Sequence, residues 1–168
     1  MNELQTKTQI LEGESVARKI FRMALEVAEQ NIGEQNLVIA GINGNGEVVA
    51  KCLASELKKM SSFATEVVTI VINKKEPGEV AVSPDIVLDN KIVLLVDDVA
   101  NTGQTMFYAL KPFLAARLKR LQTAVLVERS HKQFPIQTDY TGLSIATTLQ
   151  EHIAVETEGD EITGAWLY

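Results

Sequence analysis

The 168-residue sequence predicts an α/β fold, a doubly wound, mainly parallel sheet flanked by helices, formed as a single domain over residues 1–168. Three observations predict it. Short apolar runs without polar alternation, such as 37–40 and 92–96, read as strands covered on both faces. Stripes of apolar residues at offsets of three, four and seven separate those runs, as amphipathic helices require. The length is that of one typical domain, with 46% hydrophobic and 23% charged residues. That balance suits a globular core and excludes a disordered chain, a collagen-like repeat or a coiled-coil rod.

Residues 14–30 place Val16, Ala17, Ile20, Met23, Ala24, Val27 and Ala28 on one stripe, and Gly33 follows as a helix stop. The run 37–40 is the first buried strand. Gly41, Gly44 and Gly46 then crowd one turn before a second stripe over 47–60, built from Val48, Val49, Cys52, Leu53 and Leu57. β-Branched residues dominate 66–72 and predict a strand. Residues 73–90 hold Asn73, Pro77, Gly78, Pro84 and Asn90 without a helical period. They predict a long excursion from the sheet, of the kind that often carries function. Residues 92–96 give the strongest buried-strand pattern, expected to stop at Asp97 and Asp98. A helix is expected from near Thr105, shortened or kinked by Pro112, which has no N–H for the carbonyl of Tyr108. Residues 121–127 read as another buried strand, and 136–140, 153–155 and 162–167 as short ones.

Sixteen Lys and Arg against 22 Asp and Glu give a net charge of -6, which removes the simplest argument for nucleic-acid binding. The total hides a polarity. Lys111, Arg117, Lys119, Arg120, Arg129 and Lys132 form a basic stretch, while 150–168 carries Glu151, Glu156, Glu158, Asp160 and Glu161 and no Lys or Arg. Cys52 is the single cysteine, so no intrachain disulfide or thiolate metal cluster is available. Residues 1–11 are polar and unlike a secretory signal, and no apolar run approaches the roughly 20 residues that cross a bilayer. A cytoplasmic protein without membrane contact is expected. His131 and His152 belong to no triad or metal spacing and read as surface or core residues.

The most informative segment is 93–105: a buried strand, the adjacent acids Asp97 and Asp98, a small polar loop and a helix start. A helix N-terminus offers unpaired N–H groups and a partial positive charge. Gly103 lets an anion approach that backbone, and Thr102 and Thr105 add hydroxyl donors. The acids can accept bonds from sugar hydroxyls or hold a hydrated magnesium ion. A phosphate cradle beside such a site describes a phosphorylated sugar.

This segment resembles the signature of the type I phosphoribosyltransferases: an apolar strand, two acids, two variable residues, a polar residue, Thr-Gly-x-Thr and a helix. Val96 to Thr105 fills every fixed position. The resemblance implies that Asp97 and Asp98 are the catalytic acids, contacting the ribose hydroxyls of phosphoribosyl pyrophosphate. Ala100, Asn101, Thr102, Gly103, Gln104 and Thr105 would bind its 5-phosphate. Mg2+ is the implied cofactor, held through substrate near the acids and not by a dedicated ligand set.

Residues 125–142 are similar to the corresponding stretch of the bifunctional pyrimidine-operon regulators with uracil phosphoribosyltransferase activity. The likeness extends loosely over nearly the whole chain. It implies a pyrimidine acceptor, uracil, with Tyr140 against the base and Thr141 offering backbone groups to its edge. In the hypoxanthine-guanine enzymes a lysine that bonds the purine oxygen stands where this chain has Glu128; an acid there would set two acceptors against each other. A homodimer is implied as well.

The chain also departs from that pattern. The loop expected to bind pyrophosphate, through Asn43, Gly44 and Asn45, carries no charge, whereas the regulators have a basic pair there. Asn101 stands where purine enzymes have an acid and the regulators an aromatic, and Gln104 replaces a basic residue. The flap at 73–90 is shorter than in the family and lacks its usual arginine, leaving Lys74 and Lys75 as cations. Three functions stay open: a transferase, a regulator that binds RNA through the basic stretch, and a sensor of nucleotide or phosphoribosyl pyrophosphate with little transfer. A solvated helix face is the simpler account of the basic stretch.

Overall fold

Along residues 6–168, the part of the chain that the computed structural model describes, thirteen elements follow one another. They are β1 (Thr8–Glu12), α1 (Gly13–Gln30), β2 (Asn36–Ile42), α2 (Asn45–Met60), β3 (Ala64–Ile72), β4 (Val80–Ser83) and β5 (Ile92–Ala100). Then come α3 (Gln104–Ala109), α4 (Lys111–Leu114), β6 (Arg120–Arg129), β7 (Tyr140–Ile145), β8 (Ile153–Glu158) and β9 (Glu161–Leu167). Six strands form one sheet in the order β4-β3-β2-β5-β6-β7, parallel throughout except for β4, which runs antiparallel to β3. From β2 the chain moves outward to β3 and later returns to β5 on the other side of β2. That reversal opens a crevice beyond the ends of β2 and β5, where open α/β sheets bind ligands.

The unalternating runs are explained by two cores. Leu37, Ile39, Leu94, Val96 and Leu126 face α1 and α2, whose buried stripes include Ile20, Met23, Val49 and Leu53. Val38, Ala40, Val93, Leu95 and Val125 pack on the other face with Met106, Ala109 and Phe113 of α3 and α4. Each strand therefore buries successive residues on opposite faces.

A second, three-stranded antiparallel sheet of order β1-β9-β8 adds Ile153, Val155, Ile162 and Ala165 to the α1/α2 core. Asn45, the first residue of α2, fastens it beside the crevice. Its Nδ2 donates to the carbonyl of Val155 at 2.8 Å, and its Oδ1 accepts from Oγ1 of Thr157 at 3.1 Å.

Several expectations are corrected. β1 holds only Ile10 and Leu11 between polar residues, too short an apolar run to reveal a strand, and among the described residues it pairs with β9 alone. β4 is a four-residue strand inside 73–90, so the excursion is partly a hairpin on β3. Residues 153–155 and 162–167 are strands, but of the small sheet. Residues 136–140 are not a strand: Asp139 latches onto Thr123 through its own N–H (to the carbonyl, 3.0 Å) and its Oδ2 (from the N–H of Thr123, 2.9 Å), so pairing starts at Tyr140. β5 does not stop at the acids but continues through them to Ala100, held by pairing with β6 as far as Glu128. Pro112 does break the helix, leaving two short ones joined at Leu110. Among the described residues no helix is long and apolar enough to cross a membrane. The reading of 1–11 as unlike a secretory signal falls partly on residues 1–5, outside the described residues.

Replacing Asn45 with Ala removes both fastening bonds and leaves a carbonyl and a hydroxyl without partners. Urea unfolding should report a loss of about 1–3 kcal/mol with an unchanged m-value. An unchanged midpoint would mean that the small sheet is held by apolar packing alone.

Candidate active site

The loop after β2 and the loop after β5 lie side by side because their strands do. In the first, Gly44 has φ +90, a conformation favouring glycine, and starts α2. Asn43 is used structurally: its N–H donates to the carbonyl of Ile70 and its Oδ1 accepts from the N–H of Ile72. Asn45 is committed to the small sheet. Of the three expected pyrophosphate contacts, then, the side chains of Asn43 and Asn45 position the loop, leaving backbone N–H groups at the start of α2 for an anion. Gly46 is required by crowding, since a Cβ there would stand 2.9 Å from Oδ1 of Asp97 and 3.1 Å from the carbonyl of Val96.

Asp97 is 2% exposed, under the first turn of α2. Its Oδ1 accepts the N–H of Asp98 at 2.9 Å and lies 3.7 Å from Nζ of Lys74. Burial, then the neighbouring Asp98 carboxyl, pushes Asp97 well above the ordinary aspartate range, and Lys74 opposes them only in part. Asp98 is half-buried, with Oδ1 accepting the N–H of Val99 at 2.8 Å. Both acids line a cavity of about 310 Å³ with Asn45, Lys74, Asn101, Thr105, His152 and residues 153–155 of β8. His152 was expected at the surface or in the core, and the structure brings it to this cavity. No spacing rule finds it, because the small sheet delivers it from 54 residues downstream of Asp98.

Ala100, Asn101, Thr102, Gly103, Gln104 and Thr105 close around an adjoining cavity of about 60 Å³, lined also by Asp97. Gly103 is essential on two counts. Its φ is +84, and a Cβ would lie 2.5 Å from Cγ2 of Ile136. The segment 131–136 seals this cradle: Gln133 and Phe134 both donate their N–H to the carbonyl of Thr102. Asn101 lines both cavities, and its Oδ1 is buried without a partner. Such an acceptor is costly unless a ligand completes it or turns the amide.

The base contacts are corrected. Tyr140 is 3% exposed in the α1/α2 core, pairs with Ala124 well below the strand ends, and donates its hydroxyl to Oε1 of Gln122. The carbonyl of Thr141 already accepts from Arg22 at 3.0 Å, and its Oγ1 pairs with Thr138. Neither stands free at the crevice. Glu128 is held by Lys132 at 2.8 Å and by the hydroxyl of Thr138. Burial pushes its carboxyl up, but Lys132, Thr138 and Ser144 outweigh it and hold it below the usual carboxylate range.

The basic stretch is not one surface. Lys119 and Arg120 bind Glu34 at the start of β6, whereas Arg129 and Lys132 bind the carbonyl of Thr148 and Glu128 past its far end. A ten-residue strand separates these pairs by about 30 Å. Lys111 donates to the carbonyl of Gly78.

A model of the phosphoribosyl transferase domain matches residues 6–160. The bifunctional protein PyrR of Limosilactobacillus reuteri is 36% identical over 162 residues, covering 88% of this chain and 91% of that protein. PyrR of Pelotomaculum thermopropionicum is 34% identical over 168 residues, covering 92% and 93%. Among solved structures, the hypoxanthine phosphoribosyltransferase of Trypanosoma cruzi aligns with a TM-score of 0.76 at 16% identity, over 94% of this chain and 95% of that one. A hypoxanthine-guanine phosphoribosyltransferase of Bacillus anthracis gives 0.74 at 18%, over 94% and 96%. Identities that low show the shared fold alone.

The raised Asp97 pKa has a sign that can be measured. Between its ordinary range and its folded value the folded state binds the extra proton, so stability falls as pH rises through that window. Asp97→Asn keeps the acceptor for the N–H of Asp98 and removes the charge. It should melt higher than the unaltered protein at neutral pH, with the gain vanishing near pH ~3, below the ordinary aspartate pKa. A lower melting temperature at neutral pH would contradict the burial argument.

Proposed function

The chain belongs to the phosphoribosyl transferase family, and from that membership we propose that it moves the 5-phosphoribosyl group of phosphoribosyl pyrophosphate onto a nitrogen of a pyrimidine base, uracil, releasing pyrophosphate. The observation that carries the reading is the half-buried Asp98 carboxyl, which lines one cavity directly beside the backbone cradle of 100–105. One accepts sugar hydroxyls and the other holds the 5-phosphate. The acceptor choice draws on the 36% identity to a PyrR protein and on Glu128, whose ionised, engaged carboxylate suits no purine carbonyl.

In this reading the acceptor nitrogen forms a bond to the anomeric carbon as the bond from that carbon to pyrophosphate breaks. Asp98 orients the ribose through its hydroxyls, the N–H groups at the start of α3 and Gly103 fix the phosphate, and the start of α2 faces the departing pyrophosphate. Positioning and charge stabilisation supply the rate, with no covalent nucleophile. Lys74 is the cation that the uncharged 41–46 loop lacks. It follows β3, whose Ile70 and Ile72 hold Asn43 of that loop, so it reaches the same cavity.

Magnesium fits this donor set in one form only. The described residues contain no group of three acidic, histidine or cysteine ligands. A magnesium ion held by substrate oxygens, water and the Asp98 carboxylate needs no such group. When bound, it supplies charge to the leaving pyrophosphate. Residues 73–90, with β4 at their centre, act as a short flap over the crevice. The reading includes a cytoplasmic setting and a homodimer, for which Phe21 and Leu25, one turn apart and exposed on α1, offer apolar contact. Regulation through RNA is the second reading, drawn from the likeness to the bifunctional PyrR proteins, while Lys119 and Arg120 at one end of β6 and Arg129 and Lys132 at the other form no contiguous surface.

A panel of bases with phosphoribosyl pyrophosphate and magnesium should yield a nucleoside monophosphate from uracil, and Asp98→Asn should lower turnover by about 10²-fold or more. Lys74→Met should weaken pyrophosphate binding by about tenfold or more and leave ribose 5-phosphate binding unchanged, since charge-assisted bonds are about twice as strong as neutral ones. Tight sugar-phosphate binding without turnover on any base would replace the transferase with the sensor.

A further inference from the structure

Nucleotide formation releases a proton as well as pyrophosphate. The acceptor nitrogen bonds the anomeric carbon, the electron pair of the broken C–O bond leaves with pyrophosphate, and the N–H proton of the base must be taken up. Building on the transfer reading above, we infer that the imidazole of His152 takes it, acting as the general base of the reaction.

The 310 Å³ cavity offers few alternatives. From α2 comes Asn45, whose amide is bonded at both ends to the small sheet. From the end of β3 comes Lys74, an ammonium that already carries its protons. From β5 and its loop come Asn101 and Thr105, an amide and a hydroxyl, neither of which takes up a proton at neutral pH. Asp97 is buried beneath Gly46 with its Oδ1 on the N–H of Asp98, out of reach of a base that must approach from the cavity. Asp98 serves the sugar.

His152 differs from all of these. It is exposed, and among the described residues its ring makes no hydrogen bond or ion pair. Its backbone is fixed, donating to the carbonyl of Tyr168 at 3.1 Å and accepting from the N–H of Tyr168 at 2.9 Å. The strand that follows is fastened to α2 through Val155 and Asn45. A free ring thus stands on a rigid mount, on the β8 side of the cavity that holds the two acids. The charged residues that line the cavity with it are Asp97, Asp98 and Lys74. Glu151, on its own segment, is turned to the N–H of Thr148. Imidazole is the side chain whose ordinary titration range spans neutrality, which suits a base that must be regenerated each cycle.

The test compares turnover of uracil with that of 5-fluorouracil, whose ring N–H is more acidic, across pH in the unaltered protein and in His152→Gln. On uracil at neutral pH the variant should lose roughly 10²-fold in kcat, at the lower end for general bases, with the KM for phosphoribosyl pyrophosphate unchanged. The deficit should shrink several-fold with the fluorinated base and at alkaline pH, because an acceptor already ionised needs no base. Added imidazole should restore part of the activity of His152→Ala, a readout that a structural role would not move. An equal loss on both acceptors at every pH, no loss at all, or no rescue by imidazole would overturn the assignment and leave the transfer reading standing. No turnover in the unaltered protein with any base would overturn both.

Discussion

The burial of the Asp97 carboxyl is the constraint around which the crevice is arranged. A strand that continues through two adjacent acids must send them to opposite sides, and the one sent inward meets the first turn of α2. That meeting demands a residue without a side chain at position 46, which brings the glycines of the preceding loop within reach of any anion. It also draws Lys74 to 3.7 Å and orients the N–H of Asp98, so that the second acid is held half-open to the cavity. The desolvated carboxyl opposes folding at neutral pH. It lies between the two loops at the sheet's reversal point, where open α/β sheets bind ligands.

In the proposed reading, the same arrangement lets the loop after β2 dispense with cations of its own. Charge is displaced by one strand: the loop after β2 supplies backbone N–H groups, and the root of the flap after β3 supplies the ammonium. The two are coupled because Asn43 is stitched to Ile70 and Ile72. Across the crevice the segment 131–136 closes the phosphate cradle by pressing Ile136 against Gly103. Its ion pair, Lys132 with Glu128, ties that segment to the end of β6. The small sheet then completes the cavity from the other side and carries His152 into it.

Much of this was legible in the sequence, for reasons that differ by element. The parallel strands were readable because burial on both faces leaves unalternating apolar runs, and α1 and α2 because each buries a single stripe. The strand, loop and helix start around Gly103 were readable because a left-handed turn ahead of a helix favours glycine. The small sheet's place was not, since β1 holds too short an apolar run and β8 and β9 look like any edge strands until their partners are known. Tyr140 misled because an aromatic in a short strand suits a stacking platform as well as a core, and only the hydroxyl bond to Gln122 decides. His152 was invisible as a site residue because its role depends on the docking of one sheet on another, fixed by the side chain of Asn45.

Two larger clefts lie elsewhere: about 790 Å³ between α1, α2 and the β8–β9 turn, and about 510 Å³ at the opposite ends of the strands. In the proposed reading the phosphorylated sugar binds in neither. Titration of the amide-labelled protein with phosphoribosyl pyrophosphate and magnesium, followed by 1H–15N correlation spectra, tests that directly. The backbone signals of 44–46 and 101–105 should shift first and furthest, with the side-chain amide of Asn101 among them. Shifts confined to 33–36 and 89–92, or to 160–163, with the cradle unmoved, would contradict it.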